Sequence, residues 1–142
     1  MAGTIEVRRI GPGGTHAFDA IAPDVFDEPV DPAFLAAYLN EPNHLMVLAF
    51  EDELVIGQCA AVLHRHPDKP VELYLDEVGT ASTHRRLGVA RLMLDAMFAW
   101  GRELGCTEAW LGTELDNVAA RGLYDGRSPT EAEQMMFYLF KV

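Results

Sequence analysis

One junction constrains the fold of this sequence more than any other feature. It joins a strand-like segment, a basic turn with a glycine, and a long amphipathic helix pattern, which cover residues 71–80, 84–90 and 86–104. A helix N-terminus exposes unpaired N–H groups and a partial positive charge, so it favours anions. Gly88 lets a bulky group approach the backbone, while Arg85 and Arg86 add charge and forked donors. The junction therefore predicts a pyrophosphate site.

A stability-only interpretation explains this turn poorly. Arginines in a first helical turn are unfavourable by about 0.3–1 kcal/mol each, and a glycine inside a helix costs up to about 1 kcal/mol relative to alanine. The pattern is neither the Gly-x-x-x-x-Gly-Lys of a Walker loop nor the Gly-x-Gly-x-x-Gly of a dinucleotide site. Physical chemistry alone thus favours an anion without naming it.

The remaining pattern predicts an α/β layer with a mixed sheet. Its strands are predicted at 4–10, 44–51, 54–66, 71–80, 107–114 and 133–142, and its helices at 16–21, 32–41, 86–104 and 116–125. Asp31 and Asp116 are the predicted N-caps of the second and fourth helices. With no repeats or linkers, residues 1–142 are expected to form a single domain.

Composition narrows the function classes. The 142 residues carry a formal charge of −11, which disfavours nucleic-acid binding and suits a polycationic small molecule, although acidity can also serve solubility alone. No apolar run is long enough to span a bilayer, so a cytoplasmic protein that does not enter the membrane is expected. Cys59 and Cys106 are expected to be reduced, and the five histidines show no metal-ligand spacing.

The junction also resembles a known family. The run Arg85-Arg86-Leu87-Gly88-Val89-Ala90 is similar to the Arg/Gln-x-x-Gly-x-Gly/Ala motif of the GNAT acyltransferase superfamily. The flanks agree, since an acidic strand precedes the motif and Asn117-x-x-Ala120-x-x-x-Tyr124 follows later. The resemblance implies a mostly antiparallel mixed sheet with helices on both faces, and acetyl-CoA as co-substrate with its pyrophosphate on residues 85–90.

Within that superfamily, the chain is most similar to the small aminoglycoside (gentamicin) 3-N-acetyltransferases. The shared features are the ELYLDEVGTASTHRRLGVA block, a loop of the VFDEP type and the acidic balance. This resemblance implies acetylation of the 3-amino group of aminoglycosides, hence antibiotic resistance. It also makes a homodimer plausible, as does the apolar C-terminal segment.

Two residues are the candidates for catalysis. A protonated amine has no free lone pair, so a carboxylate is needed to accept its proton, and Asp76 and Glu77 are available. Neighbouring strand residues point to opposite faces unless a bulge intervenes. The family register favours Glu77 as the base, and the same resemblance makes Tyr124 the acid for the leaving thiolate. Solvated edge carboxylates and a core tyrosine are the alternatives, and the unusual residues 125–129 after Tyr124 depart from the family pattern.

The other site residues follow from the same resemblance. The backbone of Val78, Gly79 and Thr80 would carry the pantetheine amides, and Asn117 would contact the cofactor arm unless it only caps a helix. Carboxylates at several points suit an acceptor with several ammonium groups; the candidates are Asp27, Glu28, Asp76, Glu114 and Asp116.

Two other functions remain open at this point. One is acetylation of a different amine, such as a polyamine, an amino acid or a protein N-terminus. The other is a non-catalytic acyl-CoA-binding module, which the presence of both Glu77 and Tyr124 disfavours.

Overall fold

A computed structural model describes residues 3–142 of the chain. They group into two compact units, one that ends at Leu111 and one that begins at Gly112. All five strands belong to the first unit, whereas the second contains one helix and a C-terminal segment without regular secondary structure.

The first unit is built on a five-stranded mixed sheet in the order β1-β2-β3-β4-β5. Its strands are β1 (Ile5–Ile10), β2 (His44–Glu51), β3 (Leu54–His64), β4 (Glu72–Thr80) and β5 (Ala109–Trp110). The first three pairings are antiparallel, and β4 pairs with β5 in parallel. The predicted α/β class with a mixed, mostly antiparallel sheet is confirmed.

The core lies where β2 and β3 meet a long helix, α2 (Val89–Glu103). The middle of both strands is buried without alternation, as expected for strands covered on both faces. Val89 and Met93 of α2 pack so closely on Gly57 of β3 that an added Cβ would lie 2.9 Å from the Met93 Cε. The absence of a side chain at Gly57 therefore lets the helix approach the sheet.

Helix α1 (Pro32–Asn40) begins as predicted, because the Asp31 carboxylate accepts hydrogen bonds from the N–H groups of Ala33 and Phe34. The helix predicted at 16–21 is only a 3₁₀ turn, Thr15–Phe18. Helix α2 starts at Val89, three residues later than predicted, because Arg86 and Gly88 adopt left-handed φ angles of 64° and 79°. The two arginines therefore precede the helix instead of lying in its first turn, and that part of the prediction was wrong.

The second unit contains α3 (Val118–Asp125). Asn117, and not the predicted Asp116, caps this helix, since its Oδ1 accepts the N–H of Ala120 at 3.1 Å. The strand predicted at 133–142 was also wrong. Residues 131–142 have no regular secondary structure, because a strand needs a pairing partner and no strand among residues 3–142 pairs with this segment.

Candidate active site

The basic turn between β4 and α2 presents free backbone donors and positive charge. Gly88 is the N-cap of α2 and provides no side-chain acceptor, and the first turn of the helix contains no acidic residue. The first N–H groups of α2 thus have no side-chain partner, as an anion site at a helix N-terminus requires. Because an L side chain at the φ of Gly88 is strained, glycine is the residue that this turn favours.

The arginines of the turn are available for a ligand. Arg85 and Arg86 are exposed and make no ion pair among the described residues, whereas Arg8 and Arg9 are paired with glutamates. A free guanidinium is suited to bidentate binding of phosphate oxygens. The structure therefore brings Arg85 and Arg86, Leu87 and Gly88 together at the predicted site, followed by the first residues of α2, Val89 and Ala90.

Two contacts attach this turn to the sheet. The first joins Nε2 of His84 to Oε1 of Glu51 at the end of β2, 3.2 Å away. Within the turn itself, Oγ1 of Thr83 lies 2.8 Å from Nδ1 of the same His84 ring. The N–H of Ala81 donates to the carbonyl of Ile56 on β3 at 2.8 Å. The turn is thus fixed at its base while its arginines stay exposed.

A β-bulge separates the two candidate bases on β4. Ala60 pairs with Glu77 and Ala61 pairs with Leu75, so Asp76 is the extra residue. The bulge interrupts the strict alternation of side chains, and both residues keep a large exposed surface although the carboxyl of Glu77 is partly buried. The sequence left open whether a bulge would intervene, and the structure shows that it does.

Glu77 has the electrostatic environment of a base. Partial burial raises the pKa of its carboxyl above the ordinary value, and the nearby negative charges of Asp27 and Asp76 raise it further. A hydrogen bond with Gln58 opposes this rise in pKa. A carboxylate with a raised pKa is a stronger proton acceptor near neutral pH, as general base catalysis requires.

The outer edge of β4 beyond Glu77 is open. The ladder to β5 includes only Leu73 and Tyr74, so residues 75–80 have no strand partner on that side within 3–142. Unpaired N–H and C=O groups of Val78 and Thr80 could therefore bind an extended amide chain in strand fashion. Gly79 lies between them.

The acidic loop of residues 22–31 forms the third part of the site. Asp27 acts on Glu77 electrostatically, while Asp27 and Glu28 both line an open pocket formed by residues 21–30. The structure thus brings the predicted acceptor carboxylates Asp27 and Asp76 to the region of the predicted base.

The other four predicted residues belong to the second unit and are described within it. Glu114 and Asp116 are exposed in the segment before α3, and Asn117 caps this helix. Tyr124 is half-buried in its last turn.

Sequence reasoning missed two side chains near Glu77. Gln58 is fully buried on β3 and donates to the carbonyl of Val25 at 3.4 Å. Tyr38 of α1 donates to the carbonyl of Leu45 at 2.7 Å, and burial together with the charge of Asp76 raises its pKa. The one available signal for Gln58 was a polar residue inside the apolar run VIGQCAAV; Tyr38 looked like an ordinary apolar helix position.

Neither a metal cluster nor a membrane-spanning helix occurs in the part of the chain that the structure describes. Within residues 3–142, no three His, Cys, Asp or Glu side chains are grouped so that they could hold a metal ion. No helix in the same range has the length and apolar content that a membrane crossing requires.

The chain matches the sequence profile of the acetyltransferase (GNAT) family over residues 14–127. This match covers most of the chain, including the basic turn and α3. The chain therefore belongs to the GNAT acetyltransferase family and is an N-acetyltransferase, for which acetyl-CoA is the acetyl donor. The prediction of the superfamily is confirmed.

Individual relatives agree with this assignment. The chain is 25% identical over 108 residues to an aminoglycoside N(6')-acetyltransferase type 1 of Acinetobacter haemolyticus, a match that covers 73% of this chain and 74% of that enzyme.

Solved structures share the fold. The aminoglycoside acetyltransferase meta-AAC0020 from an uncultured soil metagenomic sample, in complex with sisomicin, matches with a TM-score of 0.80 at 16% identity, covering 97% of this chain and 96% of that one. AAC(6')-Iy in complex with the bisubstrate analogue CoA-S-monomethyl-acetylneamine matches with a TM-score of 0.79 at 20% identity, covering 99% and 100%.

Proposed function

We propose that this GNAT enzyme transfers the acetyl group of acetyl-CoA to an amino group of an aminoglycoside and so confers resistance. The observation that carries the proposal is the arrangement around β4. Asp27 and Asp76 both act electrostatically on Glu77 beside the open strand edge, and the arginines without ion pairs follow on the same strand-to-helix junction. The first unit thus contains both an anion-binding turn and a candidate base whose neighbouring carboxylates attract cations.

The basic turn fits the cofactor. Acetyl-CoA supplies the acetyl thioester and carries a pyrophosphate, and the free N–H groups at Gly88 to Ala90 together with Arg85 and Arg86 are suited to hold those phosphates. The open edge at Val78 to Thr80 supplies donors and acceptors for the amides of the cofactor arm. Asn117 is proposed to contact the same arm, in addition to capping α3.

Glu77 is proposed to accept the proton of the amine. For an amine of lysine-like pKa, about 10.4, only about one molecule in a few thousand is neutral at pH 7. The carboxylate of Glu77 accepts that proton directly or through a water molecule, which leaves the amine nucleophilic. Tyr124 is proposed to donate a proton or hydrogen bond to the leaving thiolate, because a phenol is a suitable donor to a developing anion.

The acceptor is proposed to be a polycation because of the acidic side chains around the base. Each ammonium group of an aminoglycoside gains from a facing carboxylate. On the first unit, Asp27, Glu28 and Asp76 are proposed to face these ammonium groups. Glu114 and Asp116 of the second unit are also proposed as acceptor carboxylates, on the grounds of their charge alone.

One experiment tests the acceptor class. Purified enzyme with acetyl-CoA is offered gentamicin, spermidine, free amino acids and peptides with a free N-terminus, and release of the CoA thiol is followed. We expect turnover with gentamicin at a kcat/KM at least tenfold above the other amines. Faster turnover of a polyamine or peptide would overturn the proposed acceptor, and tight CoA binding without turnover would indicate a binding module.

The acetylated amino group is proposed to be the 3-amino group, which the resemblance of residues 72–90 favours. The 6' position is the competing candidate, because the Acinetobacter haemolyticus enzyme and AAC(6')-Iy are both named as 6'-acetyltransferases. An aminoglycoside with a hydroxyl in place of the 6'-amine, such as paromomycin, separates the two. Turnover of paromomycin with product NMR shifts at C3 would support the 3-amino group, whereas no turnover of paromomycin beside rapid turnover of neamine would favour 6'.

The protein is proposed to form a homodimer through its C-terminal segment. Seven apolar side chains there are mostly exposed: Met135, Met136, Phe137, Tyr138, Leu139, Phe140 and Val142. Aromatic side chains bury about 150–250 Å² each, so two copies of this segment would approach the roughly 1,200–2,000 Å² of a stable interface. Light scattering at micromolar concentration should give twice the chain mass, and the double variant Phe137→Glu/Phe140→Glu should give the monomer. A monomeric wild-type protein would overturn the dimer.

Domain organisation and location complete the proposal. Residues 1–142 are proposed to act as a single domain, since the family match of residues 14–127 spans both units. The enzyme is proposed to be cytoplasmic, where acetyl-CoA is available and its free cysteines stay reduced. Fractionation of expressing cells should recover the acetyltransferase activity with cytoplasmic markers; recovery in the periplasm would contradict this location.

A further inference from the structure

The fully buried Gln58 lies at the meeting point of three parts of the site. It pairs with Gly79 across the β3–β4 ladder, so their side-chain positions share one face of the sheet. Glu77 precedes Gly79 by two residues on the same strand and points to that face as well. Gln58 thus sits diagonally across from the proposed base.

The acidic loop reaches the same face at Val25. A Cβ added to Gly79 would lie 2.3 Å from the carbonyl oxygen of Val25, so the loop approaches β4 only because position 79 has no side chain. The same carbonyl accepts the hydrogen bond of the Gln58 Nε2 at 3.4 Å. Gln58 therefore connects the loop that carries Asp27 to the strand that carries Glu77.

Stability alone accounts poorly for an amide at this position. Gln58 is the buried polar residue in an otherwise apolar core of the described chain, and its Oε1 has no hydrogen-bond partner there. A buried polar atom without a partner is unfavourable, and an apolar residue of similar size would avoid that penalty. A residue kept at such a cost is more readily explained by function.

We propose that Gln58 is a positioning residue, which holds the acidic loop against β4 and orients Glu77 towards the amine that this loop binds. The inference rests on the proposed function for the acceptor and for the role of Glu77 as the base. The amide donates to Val25, which fixes the loop, and to the Glu77 carboxylate, which fixes the base. Loss of the amide releases both, while the basic turn and the open edge of β4 keep their geometry.

The test compares Gln58→Leu with Cys59→Ala. Cys59 is the next residue on β3, equally buried, and its side chain faces the opposite side of the sheet. For Gln58→Leu we expect kcat/KM for the amine to fall at least tenfold, with KM for acetyl-CoA within about twofold of wild type. We expect the Tm to stay within about 3 °C of wild type, a shift that corresponds to about 1 kcal/mol in a chain of this size. Cys59→Ala should leave both kinetic parameters near wild type.

Hydrogen exchange gives a second readout that needs no activity. In Gln58→Leu, exchange of the amides in 22–30 should be at least tenfold faster than in Cys59→Ala, with the rest of β2 and β3 unchanged. Gln58→Asn, which keeps an amide on a shorter side chain, should show an intermediate effect and serves if the leucine variant does not fold.

Three results would decide against the role. Equal hydrogen-exchange rates of the acidic loop in the Gln58 and Cys59 variants would show that Gln58 does not hold this loop. Faster exchange throughout the sheet would also decide against the proposal, because it indicates a merely structural role. An equal rise in the KM for the amine and the KM for acetyl-CoA would contradict the inference that Gln58 orients Glu77. If the wild-type protein turns over no aminoglycoside, the proposed acceptor fails, and hydrogen exchange still decides whether Gln58 holds the loop.

Discussion

His84 and Glu51 connect the basic turn to the sheet, with Nε2 of His84 at 3.2 Å from Oε1 of Glu51. Both side chains are largely buried, at 13% and 22% exposure, although the arginines that follow His84 are exposed. Ordering a flexible loop on binding costs free energy. A turn that binds phosphates without a side-chain cap is therefore expected to be attached firmly to the sheet before the ligand binds.

This contact predicts a specific effect on cofactor binding. Glu51→Gln and His84→Ala should raise KM for acetyl-CoA about three- to tenfold, because the turn must then be ordered at a cost of about 1 kcal/mol. Steady-state kinetics should show little change in KM for the amine. Glu53→Gln is the control, since Glu53 is 85% exposed and belongs to the same hairpin. An unchanged KM for acetyl-CoA in both variants would remove His84 from this role.

The arginines of the turn should contribute directly to cofactor affinity. A hydrogen bond to a charged group is worth about 1.5–3 kcal/mol, so Arg85→Ala or Arg86→Ala should weaken CoA binding by roughly tenfold or more. Isothermal titration of CoA measures this effect. Arg91→Gln on the exposed side of α2 should bind CoA like wild type, and an equal loss in all three variants would point to general charge attraction instead of a phosphate site.

Glu77 should be the group whose ionisation limits activity at low pH. Glu77→Gln should lower kcat/KM for the amine by about 10²–10⁴-fold, whereas the exposed Glu108→Gln should have no effect. The pKa of Glu77 is raised, and only its ionised form accepts a proton. As the pH is lowered, wild-type kcat/KM should therefore begin to fall at a higher pH than an ordinary carboxyl group would give. Near-full activity of Glu77→Gln across the pH range would exclude Glu77 as the base.

Asp27 should shift that pH dependence. Its negative charge raises the pKa of Glu77, so Asp27→Asn should lower this pKa and move the acidic limb of the kcat/KM profile to lower pH. Asp68→Asn, an exposed acid in the turn before β4, is the control and should leave the limb in place. A shift to higher pH in Asp27→Asn would contradict the proximity of the two carboxylates.

Neither cysteine should take part in acetyl transfer. Burial raises the pKa of the Cys59 thiol to about 12 and also raises that of Cys106. Because the thiolate is the nucleophile, both should react slowly with a thiol reagent at pH 8 in the native enzyme. The Cys59→Ala/Cys106→Ala protein should keep its kcat, and a large loss at unchanged Tm would indicate a covalent role.

The site and fold were predictable from sequence to different degrees. Alternation and turn residues identified β1 to β4, and Asp31 with Pro32 identified the start of α1. The late start of α2 was not predictable, because an arginine with a positive φ at residue 86 contradicts the local propensity. Asp76 could not be recognised as a bulge, since a bulge depends on the register with β3.

Long-range relationships account for the other differences. The apolar run at 133–142 has strand propensity, yet pairing depends on a partner that local sequence does not specify. Likewise, the hydrogen bond between Gln58 and Val25 joins residues that are 33 positions apart, so local sequence does not indicate it. Glu77 was selected from the family register, and its contact with Asp27 emerged only from the fold.

Stoichiometric transfer by the wild-type enzyme tests the central claim most directly. With acetyl-CoA and gentamicin, each CoA thiol released should correspond to one acetyl group on the antibiotic, measured by thiol absorbance and mass spectrometry of the same sample. The account predicts equal amounts of the two products in the presence of enzyme and neither in its absence. Saturable CoA binding without acetylated gentamicin would contradict it.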